Sequence, residues 1–264
     1  MPPMRIVLLT LSLFLAFGHW SAQPTVHRSK ARVIPDFLQT DPEAGFAKAG
    51  SQFCAPTAVS NALMWLADNG YEDLRPTGSA KKAQIAMIKT LSGPGYMKTN
   101  PSMGTDVSQV LAGVETYVSE AGYTLAELSY AGWRPAPEDS VAGEYPDLDA
   151  IKTAIADDQS AVWLNVGWYK YDEDSGDYRR TGGHWVTVVG YDHDDLLIHD
   201  PAPGAGRGFR TQTISLEELT EGRLIGNQRG LPRSAEGYYE VGGEMAVPNG
   251  TTCILDGAVV LALE

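Results

Sequence analysis

Cysteine is scarce in this 264-residue chain: there are two, Cys54 and Cys253. Two thiols exclude a miniature scaffold held by several disulfides, and a chain this long buries a full core without staples. Basic charge is also short, with 20 Lys and Arg against 33 Asp and Glu, a net charge of −13. Such a surface lacks the basic stripe that non-specific nucleic-acid binding needs, and anionic lipid repels it. Past the N-terminus no apolar run reaches the roughly 20 residues of a membrane span, and no internal repeat of fixed period occurs. The glycine-rich stretch Pro203 to Gly208 has no Lys-Ser/Thr and so is no phosphate loop. Asp172 to Asp177 lacks the glycine and the glutamate of a calcium loop and reads as a polar hairpin tip. The acidic turn Asp192-His193-Asp194-Asp195 is consecutive in sequence, not spaced to converge on a metal. Neither a metal nor a cofactor is expected.

The first 22 residues carry the clearest targeting pattern. Arg5 precedes an apolar run from Ile6 to Phe17, and Gly18, Ser21 and Ala22 supply small residues for cleavage. This is the pattern of an export signal, too short for a spanning helix. It predicts a secreted or periplasmic protein of bacterial type, with no membrane anchor after cleavage. Residues Gln23 to Arg32 are polar and read as a mobile segment, and Val33 to Glu264 as one domain.

Within that domain the spacing predicts helices first and strands later. Val59, Ala62, Leu63 and Leu66 share one helical face, and Met64 and Trp65 extend it, so Cys54 to Asp68 is expected as a buried helix with Pro56 in its first turn. A weaker helix is predicted over Ala80–Leu91, a clear one over Thr105–Glu120 and a short one after the cap Asp147. Val33 to Leu38 reads as a short edge strand. Further strands are expected at Tyr123–Tyr130, Ala161–Tyr169, His184–Tyr191, Leu196–His199, Phe209–Ile214, Tyr238–Val247 and Cys253–Leu263, with a Pro-rich connector at Pro135–Pro146. The expected class is α+β: an N-terminal helical half packed on a C-terminal antiparallel β-sheet.

Three residues stand out chemically. Cys54 opens the buried helix, where unpaired N–H groups and the helix dipole favour a thiolate. His184, in Gly182-Gly183-His184-Trp185-Val186, opens a strand between flanking glycines and an apolar run. Asp200 lies 16 residues further on, so a hairpin turning near Asp192 brings it close to opposite His184, where it can accept the imidazole N–H. Cys54 alone is equally readable as an inert core cysteine or as half of a bridge to Cys253. Trp163, Trp168 and Trp185 are candidates for a cleft lining or for core packing.

Taken in order, Cys54-Ala55-Pro56-Thr57-Ala58, then Gly183-His184-Trp185-Val186 running into Gly190-Tyr191-Asp192, then Asp200-Pro201, resemble papain-like cysteine peptidases. The nearest likeness is to the bacterial family of bacteriocin-processing (double-glycine leader) peptidases and their secreted relatives. The resemblance implies a papain-like fold with Cys54 as nucleophile, His184 as base and Asp200 as orienting residue. It implies hydrolysis of a peptide or protein substrate through a thioester, without a cofactor. It also implies a glutamine before the cysteine as oxyanion donor, and Gln52 and Gln39 both qualify. Two alternatives stay open: a non-catalytic module of the same fold with a Cys54–Cys253 disulfide, and a transglutaminase-like thiol acyltransferase.

Overall fold

The strands of this chain close on themselves. The computed structural model describes residues 24–134, 141–143, 145–203, 210–226 and 232–264. The export pattern in residues 1–22, most of the connector 135–146 and residues 204–208 of the glycine-rich stretch lie outside them. Element order is β1 (Val26–His27), α1 (Cys54–Asp68), α2 (Ala80–Leu91), α3 (Val107–Glu120), β2 (Leu125–Gly132), β3 (Val141–Gly143), α4 (Leu148–Ala156), β4 (Ser160–Asp172), β5 (Asp177–Asp192), β6 (Asp195–His199), β7 (Gln212–Glu218), β8 (Arg223–Ile225), β9 (Arg233–Ser234), β10 (Tyr239–Gly243) and β11 (Thr252–Leu263). Strands β4, β5, β6, β7, β10 and β11 pair in that order, each antiparallel to the next, and β11 returns to β4. The result is a six-stranded antiparallel barrel with β1, β2, β3, β8 and β9 added at its margins.

This corrects the expected architecture. The sheet is a closed barrel, not an open sheet under a helical half, and the described residues hold only four α-helices. The cause is β11, which lends one edge to β10 and the other to β4 near the same residue, Ile254. Register shifts at Leu255/Gly257 in β11, Trp168/Tyr169 in β4 and Val188/Gly190 in β5 supply the local bend that closure requires.

The barrel strands alternate as buried strands should. One apolar cluster draws on all six barrel strands. It includes Val162, Leu164 and Val166 of β4, Val186 and Val188 of β5, Ile198, Ile214, Val241 and Leu255, and it takes in Ile151 and Ile155 of α4. The opposite faces of β4, β5 and β11 present Trp163, Trp185 and Val259 to α1, α2 and α3 in a second cluster. Helix α1 lies inside that layer from Ala55 to Ala67, all of them buried, with only Cys54 and Asp68 at its ends reaching the surface. An apolar residue on every side, not one stripe, is what such a position demands.

Two expectations at the N-terminal end change. Val33 to Leu38 makes no strand; its Phe37 N–H donates to Asn61 Oδ1 of α1 at 3.2 Å instead. The edge strand is Val26–His27, paired with Asp192 and Tyr191 of β5. The described part of the segment expected to be mobile is tied down further by Lys30. That side chain is buried over the Trp65 ring at 4.2 Å and donates to the carbonyls of Asp157 and Ser160.

Candidate active site

Cys54 is the first residue of α1, and Phe53 before it provides no side-chain cap. The Phe53 N–H is taken up by the Gly50 carbonyl at 3.0 Å, and with no side-chain cap the positive end of the helix dipole lies at Cys54. The chain reaches this point through a left-handed turn, with positive φ at Lys48, Ala49 and Gly50. Gly50 has no alternative, since a Cβ there would meet the Gln39 carbonyl at 1.7 Å.

His184 comes from the barrel side, on β5. Its Nε2 stands 2.6 Å from Asp200 Oδ1, and both side chains are buried, at 8% and 2% exposure. The same Oδ1 accepts the Ala202 N–H at 2.8 Å, which fixes the carboxylate. Cys54 is close enough to the imidazole to help raise its pKa, and with Nε2 committed to Asp200 the ring nitrogen left for the sulfur is Nδ1. The three residues are thus brought together. Their register differs from a simple hairpin about position 192. The ladder pairs Val188 with Ile198 and Thr187 with His199, which sets Asp200 opposite Val186, two residues from His184. A diagonal pair of this kind remains within side-chain reach.

Burial alone pulls the His184 imidazole toward neutrality. The charge and hydrogen bond of Asp200, with Cys54 adding to them, overcome that and hold its pKa well above the ordinary range. Asp200 shows the reciprocal effect: burial raises it, but the imidazole and the Ala202 N–H win and its pKa is lowered. A second carboxyl nearby, Asp36, is pushed up to about 6, first by burial, against the Arg210 N–H and with help from the Asp200 charge.

A cleft of about 510 Å³ opens at this point, with Cys54, Gln52, Gly183 and Trp185 among its walls. Trp185 donates its indole N–H to the Thr105 carbonyl at 3.2 Å, joining the barrel wall to the loop before α3. Trp163 is not part of the cleft. It is fully buried and donates to the Ala58 carbonyl at 3.1 Å, so it packs α1 onto the barrel. Trp168 occupies the place beside the imidazole, stacked on His184 with ring centroids 6.2 Å apart.

The two glutamines separate. Gln52 is half-buried on the cleft wall beside Cys54, with its Oε1 facing Gly104. Gln39 is buried, and its amide nitrogen is engaged with the carbonyls of Gly50 and Ser51 at 3.0 and 3.2 Å. Both cysteines are free thiols. Cys253 lies in the barrel core, where burial raises its thiol pKa far above the usual range, so it is inert and forms no bridge to Cys54.

Residues 34–220 match the model of the Peptidase_C39 like family, and that interval is well over half of the chain. The chain belongs to this family. The Peptidase_C39 like family is a papain-like cysteine peptidase family related to the bacteriocin-processing peptidases. The matched interval contains Cys54, His184 and Asp200 together with both glutamines. No curated protein and no solved structure matches the chain. Among the described residues no group of acidic, histidine and cysteine side chains is arranged to hold a metal ion, and no helix is long and apolar enough to cross a membrane.

Several residues at the site escape a reading of the sequence. Asp36 falls in the expected edge strand, and Arg180 and Asp256 carry no motif. The one available signal is glycine placement: Gly183 lies where Arg180 crosses the backbone, and Gly167 where Asp256 packs.

Proposed function

We propose that this member of the Peptidase_C39 like family is an exported cysteine peptidase that cleaves amide bonds through Cys54, His184 and Asp200. The observation that carries the reading is the placement of one imidazole between a carboxylate at 2.6 Å and the thiol at the tip of α1. Export is inferred from the residues 1–22 pattern alone.

The chemistry follows from the placement. His184 Nδ1 takes the Cys54 proton, and the imidazolium is stabilised by Asp200 on its other nitrogen. The thiolate attacks the substrate carbonyl carbon, forming a C–S bond while the C=O electrons move to oxygen. That oxyanion is held by the Cys54 N–H and the Gln52 amide, the glutamine on the cleft wall. The C–N bond breaks as the imidazolium gives its proton to the departing amine, leaving a thioester. His184 then removes a proton from water, the hydroxide displaces the sulfur, and the acid product leaves. Gln39 serves as a positioning residue that fixes Gly50 and Ser51 ahead of the nucleophile.

The test compares the parent with Cys54→Ala against a peptide library, beside iodoacetamide alkylation of the native parent near pH 7. The expected result is cleavage by the parent only, and rapid single-site alkylation at Cys54 that abolishes it. Equal activity in both proteins would remove Cys54 from the mechanism.

A further inference from the structure

Beyond the thiol and imidazole, the cleft holds two guanidinium groups that the reaction does not use. Arg134 and Arg180 both line it. In a chain of net charge −13 a cleft wall carrying two arginines stands out electrostatically.

Arg180 is fixed in place. Its side chain is nine-tenths buried, and Nε donates to Asp256 Oδ2 at 2.7 Å. The guanidinium lies across the backbone just before His184, because a Cβ on Gly183 would fall 2.0 Å from its Nη2. Asp256 is fully buried and also accepts from Trp133 Nε1 at 2.9 Å and from the Tyr169 hydroxyl. Its oxygens are therefore shared among three donors, and it balances one positive charge. Of the remaining Arg180 N–H groups, one makes a long contact of 3.5 Å to the Val166 carbonyl.

Arg134 supplies the second charge. It rides over the Trp133 ring at 5.2 Å. Among the described residues no carboxylate lies within ion-pair distance of it. It is largely desolvated, and the Arg180 charge nearby acts in the same direction, so its pKa is lowered, yet an arginine stays cationic at neutral pH. Where the two guanidiniums meet they share one carboxylate, Asp256, and the other carboxylate on the cleft wall, Asp106, caps α3 through the Gln109 N–H and is ion-paired with neither arginine, so positive charge is in surplus at this end of the cleft. A carboxylate is the planar, bidentate acceptor that matches a guanidinium.

We propose that Arg134 and Arg180 form a carboxylate-binding subsite, so that the substrate is a peptide bearing a carboxylate close to the scissile bond. The carboxylate comes either from an acidic side chain or from a free C-terminus. The assignment of the bound molecule as a substrate rests on the peptidase reading; the subsite itself does not.

The experiment uses the full chain and matched peptide pairs: Glu against Gln at each position of a short peptide, and a C-terminal acid against its amide. Cleavage is measured with the parent and with Arg134→Gln. Binding of the same pairs is measured with Cys54→Ala and with the double variant Cys54→Ala/Arg134→Gln. A charge-assisted contact predicts that the parent favours the acid member of at least one pair by about tenfold, and that Arg134→Gln erases the preference. The pair that responds tells side chain from terminus. Acid-selective binding to Cys54→Ala without cleavage by the parent leaves the subsite standing and overturns the peptidase reading. Cleavage with no acid preference, a preference unchanged in Arg134→Gln, or no binding of any acidic peptide overturns the subsite.

Discussion

The charge on Asp200 is separable from its role in aiming the imidazole, and Asp200→Asn separates them. An asparagine keeps an oxygen that accepts from His184 Nε2 and from the Ala202 N–H, so orientation survives while the charge is lost. A hydrogen bond to a charged group is worth about 1.5–3 kcal/mol, and each pKa unit is about 1.4 kcal/mol. Losing the charge therefore lowers the His184 pKa by about 1–2 units. In the proposed reaction the imidazolium is the active form, so the alkaline limb of the kcat/KM profile moves to lower pH by that amount. The stability profile changes in a linked way. The raised His184 pKa contributes stability that is complete below the unfolded value near 6.5 and is lost as pH rises through the folded value. The lowered Asp200 pKa contributes stability present above about 3.8 and lost as pH falls through its folded value. The His184 contribution shrinks in Asp200→Asn, and the Asp200 contribution disappears with its carboxylate. The assay is kcat/KM against pH on one peptide, beside NMR titration of the His184 ring. An alkaline limb and a ring titration that stay where they are in the parent refute the claim that Asp200 sets the charge of the base.

Gln52→Ala is expected to lower kcat by about 10²-fold with Tm unchanged, whereas Gln39→Ala lowers Tm because it frees the buried Gly50 carbonyl and the partly buried Ser51 carbonyl; the reverse pattern moves the oxyanion role to Gln39. Gly183→Ala drives a methyl into Arg180 and the Val166 carbonyl, and a loss of about 1–3 kcal/mol in chemical denaturation is expected together with reduced kcat/KM. Lys30→Ala removes the ammonium from the carbonyls of Asp157 and Ser160, leaving Asp157 only the Ser160 N–H at 3.3 Å, and removes the contact on Trp65. A cost of about 2 kcal/mol, read as a Tm fall of about 4–8 °C, is expected. Burial lowers Lys30 to about 8 against its usual 10.5, so the unfolded chain binds more protons between those values; parent stability should gain from this group as pH rises through that window, and Lys30→Ala should not.

What the sequence made legible was local. Helix α1 runs from Cys54 to Asp68 as its apolar spacing required, and α2 covers Ala80 to Leu91 as expected, because periodicity, Pro56 and Asn69-Gly70 all act within a few residues. The Asp192–Asp195 turn was legible for the same reason, and it brought His184 and Asp200 within reach despite a register two residues off. Barrel closure was not legible. Cys253 to Leu263 has the same alternating pattern whether one of its edges is paired or both, and only contact with β4 and β10 together decides between sheet and barrel. Lys30 was hidden because a polar composition does not reveal a side chain that lays its methylenes on a tryptophan and commits its ammonium to two carbonyls. Trp163 was misplaced because strand alternation tells which residues share a face, not which layer that face meets.

The spacing of thiol and imidazole depends on one backbone atom. The Ala58 carbonyl, one turn beyond Cys54 on α1, accepts from Thr187 Oγ1 at 2.7 Å and from Trp163 Nε1 at 3.1 Å. Thr187 is three residues beyond His184 on β5, and Trp163 is its register partner on β4. One helical turn and three strand residues therefore separate the joint from Cys54 and His184, and all three partners at the joint are buried. Cys54 and His184, far apart in sequence, thus sit on a rigid corner between helix and barrel and not on two independent loops. Preorganisation of this kind is what the proposed nucleophile–base pair needs. It also accounts for a helix buried on every side: the layer that packs α1 against the barrel is the same one that holds the sulfur at the imidazole.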